Sequence, residues 1–521
     1  MKRVVGVVAG VGMLAVAVGA PPRAVADVRQ GLTWEACGQA GAGRAAPETE
    51  CATLRVPLDH RMPYQTIGIA LNRIKGKATR GHLGVLLVNP GGPGASGMDL
   101  AAFVATALPA GLADRFDVIG FDPRGVGRSS PAVNCVDPDK YYAPPRPDYV
   151  PKTAQEESVL LGRAREYAEA CELRWGWLLP HLTTENSARD MDLIRAALGE
   201  SRISYLGYSY GTYLGAVYAT LFPHRVKRLV LDSVVDPRGI WYDSNLKQNT
   251  AFDRRHRDFL AWTARHNDVY RLGATAGAVS YAWYATRERL RTRPAGGVVG
   301  PSEFDDIYTV GGYSDLVWPE LARAFSAYVR RGDTAPLVSA YRKHAKNDAE
   351  TENGYAVYLA TECGDAPWPR DWSRWKADAT AIHARAPFLT WQNTWYNAPC
   401  MFWPQRTAPA APVRIRQDAR LPAALLVQAR RDAATPYAGA LEMRRIFTRS
   451  RLVVEGGGDH GVALFEGNRC VDAHLAAYLR DGTLPRRAGR GSAVDARCPA
   501  VAPPAPSARA ERILMTGDPG R

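Results

Sequence analysis

Gly207-Tyr208-Ser209-Tyr210-Gly211 holds a serine between glycines at both second-neighbour positions, a spacing that makes a sharp turn and pushes the hydroxyl into the open. A serine so presented can attack a carbonyl, provided a base takes its proton and an acid orients that base. Both partners follow in the chain. Asp432 stands in Arg431-Asp432-Ala433-Ala434-Thr435-Pro436, where Thr-Pro makes a tight turn that can aim the carboxylate. His460 stands in the glycine-rich loop Gly456-Gly457-Gly458-Asp459-His460-Gly461. The order Ser, Asp, His, each residue on a loop after an apolar run, is that of a nucleophile-elbow hydrolase. Each assignment has a rival. Asp232 stands near the end of the run that follows the elbow, but more strand than loop is expected after it. Asp459 adjoins the histidine and is expected to cap its turn, and His474 falls in a helical pattern.

Attack on a carbonyl creates an oxyanion that needs preorganised donors, and losing one such donor costs about a hundredfold to a thousandfold in rate. The backbone N–H of Tyr210 is one candidate. The other is Gly92, in Asn89-Pro90-Gly91-Gly92-Pro93-Gly94, where glycines let an amide face the cleft. The same loop lacks the Gly-Lys-Ser/Thr ending of a phosphate-binding P-loop. In Asp122-Pro123-Arg124-Gly125-Val126-Gly127-Arg128-Ser129-Ser130, Arg124 is expected to hold neighbouring loops and to carry no chemistry.

The elements that must position these residues are short apolar runs alternating with helical patterns, as in a mostly parallel sheet covered by helices. Strands are expected at residues 84–88, 116–121, 203–206 and 228–235, with a helix over 186–198 capped by Asn186 and stopped by Gly199. Alternation then stops. Residues 237–413 read as helical and hold ten of the thirteen tryptophans, so they form an expected inserted cap. Most of those rings are expected in its core, with a few at a substrate cleft. Strands return at 423–429 and 451–455, a closing helix covers 471–479, and the Ala-, Pro- and Arg-rich tail 499–521 is expected to be disordered.

Bulk properties set the compartment and exclude some functions. Met1-Lys2-Arg3, an apolar stretch over residues 4–20 and Ala24-Val25-Ala26 form a signal peptide, residues 1–26, with cleavage expected before Asp27. No other stretch is apolar enough to span a membrane. Eight cysteines fit an oxidising compartment, and sequential pairing is the expectation: Cys37 with Cys51, Cys135 with Cys171, Cys363 with Cys400, Cys470 with Cys498. Loss of Lys2, Arg3 and Arg23 with the leader takes the 66 basic residues to 63 against 52 acidic ones. These are scattered rather than massed with aromatics, so nucleic acid is not an expected partner. Oligomeric state is not legible, and a monomer is expected.

Taken in order, Asn-Pro-Gly-Gly-Pro-Gly, Asp-Pro-Arg-Gly-Val-Gly, Gly-Tyr-Ser-Tyr-Gly-Thr-Tyr-Leu-Gly, Arg-Asp-Ala-Ala-Thr-Pro-Tyr and Asp-His-Gly closely resemble the secreted bacterial tripeptidyl aminopeptidases. These are proline iminopeptidase-like serine peptidases of the α/β-hydrolase superfamily, and the resemblance runs from about Trp34 to Cys498. It implies an α/β fold: a mostly parallel sheet with helices on both faces and a large, mainly helical inserted cap. The core would comprise residues 27–236 and 414–498, with the cap at 237–413. It also implies a serine exopeptidase that takes tripeptides from free N-termini, with Ser209, Asp432 and His460 as the triad. Neither a metal nor an organic cofactor is needed by this chemistry. Asn89 stands where proline iminopeptidases proper have His, which puts transfer of their finer specificity in doubt.

An aminopeptidase must also hold a protonated amine, which calls for a carboxylate in a partly dry pocket. Thr361-Glu362-Cys363-Gly364-Asp365 in the cap offers Glu362 and Asp365. Three extended residues span roughly 10 Å, so a tripeptidyl enzyme should hold that carboxylate about so far from Ser209. Two competing readings remain: an exported esterase or amidase with the same triad and a different cap, and a non-catalytic binding protein on the same scaffold. Acetylating the substrate amine separates the first from the exopeptidase. Failure of a fluorophosphonate to label Ser209 would mark the second.

Overall fold

The computed structural model describes residues 31–38, 48–345, 347–404, 412–489 and 491–506; the expected leader lies outside them. One ten-stranded sheet runs through the molecule. Its strands are β1 (Glu35–Ala36), β2 (Thr49–Asp59), β3 (Met62–Ile74), β4 (Val85–Asn89), β5 (Asp117–Phe121), β6 (Ile203–Tyr208), β7 (Val226–Asp232), β8 (Leu425–Ala429), β9 (Arg451–Glu455) and β10 (Ala496–Cys498). They lie in the order β1-β2-β3-β5-β4-β6-β7-β8-β9-β10. Every pairing from β5 to β10 is parallel, whereas β1, β2 and β3 extend the sheet antiparallel.

The central strands are continuous apolar runs because both of their faces are covered. Alternate residues face opposite layers. Leu87, Tyr205, Leu231 and Leu426 pack with Met191 and Ile194 of the helix Thr184–Ala197 and with Leu214 and Val217 of Tyr210–Leu221. Leu86, Leu206, Val230 and Val427 pack with Val104 of Met98–Ala107 and Leu475 of Arg469–Asp481.

Three local expectations are corrected. β7 ends at Asp232, short of the expected residue 235, because Ser233 takes a left-handed φ of 59° that a strand cannot continue through. The helix expected over 186–198 starts at Thr184, and Thr183, not Asn186, caps it by accepting from the Asn186 N–H. Of the expected tail, residues 499–506 are tied to the helical layer, Trp262 Nε1 donating to the Pro504 carbonyl and the Tyr270 hydroxyl to that of Pro506, while residues 507–521 lie outside the described residues.

Between β7 and β8 the chain leaves the sheet for a run of helices, from Tyr242–Arg265 to Pro399–Phe402. These have their own core, in which Trp262, Trp283, Phe304, Tyr308, Trp318 and Phe325 are buried. A second excursion, between β5 and β6, carries a long helix at Ala154–Trp175 that was not anticipated. Part of its buried stripe is Ala164 and Ala168, too small to stand out as an apolar pattern. It leans on the insertion, whose Glu352 accepts from Cys135 N at 2.9 Å and from the Tyr167 hydroxyl at 2.8 Å. The disulfides are Cys37–Cys51, Cys135–Cys171, Cys363–Cys400 and Cys470–Cys498, the sequential pairing. No helix among the described residues is long and apolar enough to cross a membrane.

Candidate active site

Ser209 sits between β6 and the helix Tyr210–Leu221 with φ 53° and ψ −127°, a conformation that costs a non-glycine residue of order 1–3 kcal/mol. The surroundings hold it there: its N–H donates to the Asp232 carbonyl at 3.0 Å, and its carbonyl accepts from Thr212 Oγ1 at 2.6 Å. Glycine at position 211 is required, because a Cβ there would lie 2.7 Å from Asn89 Oδ1. The strand order places the loops after β6, β7, β8 and β9 side by side at one end of the sheet, and those loops carry Ser209, Ser233, Asp432 and His460.

His460 Nδ1 lies 3.0 Å from each carboxylate oxygen of Asp432. Asp432 is itself fixed by the Thr435 N–H at 2.9 Å, Thr435 Oγ1 at 2.8 Å and Gln428 Nε2 at 3.2 Å. Burial opposes charge on the imidazole, yet the adjoining Asp432 carboxylate carries the balance and holds His460 above its ordinary value. Nε2 of His460 is buried and bonds to no described group, and no hydrogen bond closes between it and Ser209 Oγ. Such links commonly tighten only when substrate is bound.

The rivals have other partners. Asp232 accepts from the Val462 N–H and, at 2.6 Å, from the Ala463 N–H, so it anchors the loop that carries His460. Burial pushes its carboxyl up to about 7. Asp459 accepts from Arg255 Nη2 at 2.8 Å and Ser314 Oγ at 2.9 Å, tying that loop to the insertion. His474 lies on the helix Arg469–Asp481, which packs on one face of the sheet. Its ring nitrogen and the sulfurs of Cys470 and Cys498 lie within 4.8 Å of one another, but the two sulfurs are bonded to each other and leave no thiolates for a metal. Arg124 binds both oxygens of Asp190 at 2.7 Å in a buried structural pair.

Gly91 has φ 108°, and a Cβ there would come within 2.9 Å of Ser209 Cβ and 3.0 Å of the Tyr210 nitrogen. This close passage brings Gly92 beside the elbow, and Gly92, Ser209 and Tyr210 all line one cavity. Tyr210 is the first residue of its helix, so its N–H has no carbonyl one turn behind it within the helix. Gly92 and Tyr210 thus stand beside Ser209 as the two candidate backbone donors.

The cavity, about 910 Å³ with its open mouth included, is walled on its other sides by the insertion and by Ala434, Thr435 and Pro436. It contains Glu362 and omits Asp365. Burial pushes the Glu362 carboxyl up to about 8, against hydrogen bonds from Asn245 and Tyr358. Asn245 Nδ2 lies 3.0 Å from its Oε2, and among the described residues no cationic side chain is paired with it. Asp365 instead takes the Thr184 N–H at 2.8 Å, Thr184 Oγ1 at 2.5 Å and Trp241 Nε1 at 3.4 Å. Those bonds join the helices Thr184–Ala197 and Ala349–Asp365 outside the cavity. Trp241 is the tryptophan found at the cleft. Sequence reasoning missed Asn245, Tyr313, Tyr358, Gln392 and Asn393 as cavity residues, since they are spread over four helices with no local motif. It also missed the helix at Ala154–Trp175, although Thr153 and Glu156 form a capping box that was readable.

A family model described as alpha/beta hydrolase fold matches residues 84–467. A tripeptidyl aminopeptidase of Streptomyces lividans is 43% identical over 498 residues, 94% of this chain and 90% of the other. The serine protease Hip1 of Mycobacterium tuberculosis H37Rv is 31% identical, over 84% of this chain and 86% of its own. A protein named carboxylesterase B from the same organism is 33% identical, over 87% and 88%. Sheet order, elbow, insertion and these likenesses agree: the chain belongs to the α/β-hydrolase family, among the serine hydrolases related to the tripeptidyl aminopeptidases.

Proposed function

We propose that the protein is an exported serine exopeptidase that releases tripeptides from free N-termini. Ser209 Oγ attacks the carbonyl of the third residue while His460 Nε2 takes the hydroxyl proton. Asp432 holds the imidazole with Nδ1–H directed at itself, which leaves Nε2 as the basic nitrogen. The oxyanion is received by the N–H groups of Tyr210 and Gly92. Proton return from His460 to the departing amine leaves an acyl-enzyme on Ser209. Water then attacks the ester, activated by the same imidazole.

Glu362 carries the exopeptidase reading. It is a buried carboxyl in the cavity that holds Ser209, bonded by neutral donors and with no cation beside it among the described residues, and a substrate ammonium supplies that charge. Asp365 is not proposed for this role, since three donors already occupy it. Four disulfides support an oxidising compartment outside the cytoplasm.

The test compares a tripeptide anilide with its N-acetyl form. The exopeptidase reading requires the acetyl form to be a poor substrate. Equal turnover of both would instead favour an esterase or amidase, the reading to which the relative named carboxylesterase B lends weight.

A further inference from the structure

A second cavity, about 1010 Å³, adjoins the first, and Thr309, Gln392 and Tyr396 line both. The two spaces are therefore one side chain apart along that wall. Gln392 is its pinned member. Its Oε1 accepts from Thr309 Oγ1 at 3.1 Å, and its Nε2 donates to Asp306 Oδ1 at 2.8 Å. Asp306 is in turn paired with Arg146 and accepts from the Tyr149 hydroxyl at 3.3 Å. An amide bonded at both ends to half-buried partners is less free to swing aside than a surface glutamine.

We propose that Gln392 is a length-determining residue: it closes the acyl side of the active-site cavity and makes the neighbouring cavity inaccessible to a fourth residue. This rests on the tripeptide-release reading. The space behind the partition suits one more residue with an aromatic or large apolar side chain, because Tyr141, Tyr142, Tyr355 and Trp395 line it. Removing the amide would also take from Asp306 Oδ1 its shorter hydrogen bond and leave it only the Tyr149 hydroxyl at 3.3 Å. That leaves a carboxylate oxygen at the opened wall for the ammonium of a four-residue acyl chain.

The experiment digests a pool of free-N-terminus peptides with wild-type enzyme and with Gln392→Ala, and reads released fragments by mass spectrometry. Wild type should release tripeptides. The variant should raise the tetrapeptide-to-tripeptide ratio by about tenfold or more, most for an aromatic first residue, in line with pocket discrimination of small steric differences. Gln392→Leu keeps the bulk and loses the amide, and should stay tripeptide-specific. Gln392→Ser serves as a second opening variant if the alanine variant does not fold. An active opening variant that still releases only tripeptides overturns the partition while leaving the tripeptide reading intact. Equal tetrapeptide release from the leucine variant also overturns it. A wild type that releases some other length overturns the reading on which the proposal rests.

Discussion

Arg255 of the helical insertion donates to Asp459, the residue immediately before His460, at 2.8 Å. The insertion therefore holds the loop that carries the candidate base, as well as roofing the cavity. Asp459 also accepts from the Asp315 N–H at 2.9 Å, and the Asp315 carboxyl close by is pushed up to about 7, first by burial and then by the Asp459 charge. Arg255→Met removes the guanidinium and leaves these acids unbalanced, a change worth about 3–5 kcal/mol for a buried pair. Its thermal midpoint and kcat should both fall. Asp459→Asn keeps hydrogen-bonding capacity and relieves the acid pair, so it should lose less. Equal damage from both, in calorimetry and steady-state kinetics, would remove the charge from the explanation.

Asp432→Asn should lower kcat by about 10⁴-fold, because an amide facing Nδ1 favours the wrong imidazole tautomer. Thr435→Val removes one of the three donors to the carboxylate and should cost about 1 kcal/mol, roughly fivefold in kcat. The pH profile carries a sharper check. His460 acts as base only when neutral, so kcat/KM should fall as pH drops through its raised value, placing the acid limb above the ordinary 6.5. Without the Asp432 charge, burial is opposed only by the smaller contributions of Asp232 and Asp459, and the limb in Asp432→Asn should move to lower pH. A limb that stays in place would assign the titration to another group.

The triad candidates were readable because each sits in a local motif after an apolar strand, and chain order distinguishes them. Choice of acid was less secure. The reason given against Asp232 was continuing strand, yet β7 ends at that residue. What separates it from Asp432 is its partners: the Val462 and Ala463 N–H groups occupy it while His460 Nδ1 meets Asp432. Likewise Glu362 and Asp365 are one helical turn apart, and no sequence pattern tells which faces the cavity. The wall at Gln392 depends on contacts to Thr309 and Asp306 on another helix. Such tertiary pairings leave no periodicity to read.

Glu362 should also be visible in stability. Folded, its carboxyl keeps its proton up to about 8, whereas the unfolded chain loses it near the ordinary 4.5. The folded state therefore binds more protons between those values. The contribution is fully present below the unfolded value and is lost as pH rises through the folded one, with a slope of about 1.4 kcal/mol per pH unit. Glu362→Gln cannot titrate, so its melting temperature relative to wild type should improve from about pH 5 to about pH 8 and level off above. A pH-independent difference would mean that the buried carboxyl is ordinary.

The same substitution should separate binding from scaffold when set against Asp365→Asn. A charge-assisted bond to the substrate ammonium is worth about 1.5–3 kcal/mol, so Glu362→Gln should raise KM for free-N-terminus tripeptide anilides by roughly ten- to hundredfold. KM for an N-acetyl tripeptide should hardly move, since that substrate has no charge to lose. Binding should also be strongest near pH 8: below it the carboxyl must give up its proton, and above it the peptide amine, ordinarily near 7.7–8.0, loses its own. Glu362→Gln should lose the lower limb of that dependence. Asp365→Asn should lower the melting temperature by loosening the Thr184 and Trp241 contacts, and should leave the preference for a free amine intact. If Asp365→Asn instead abolished that preference while Glu362→Gln kept it, the amine would belong outside the cavity that holds Ser209, and the release length would lose its structural basis.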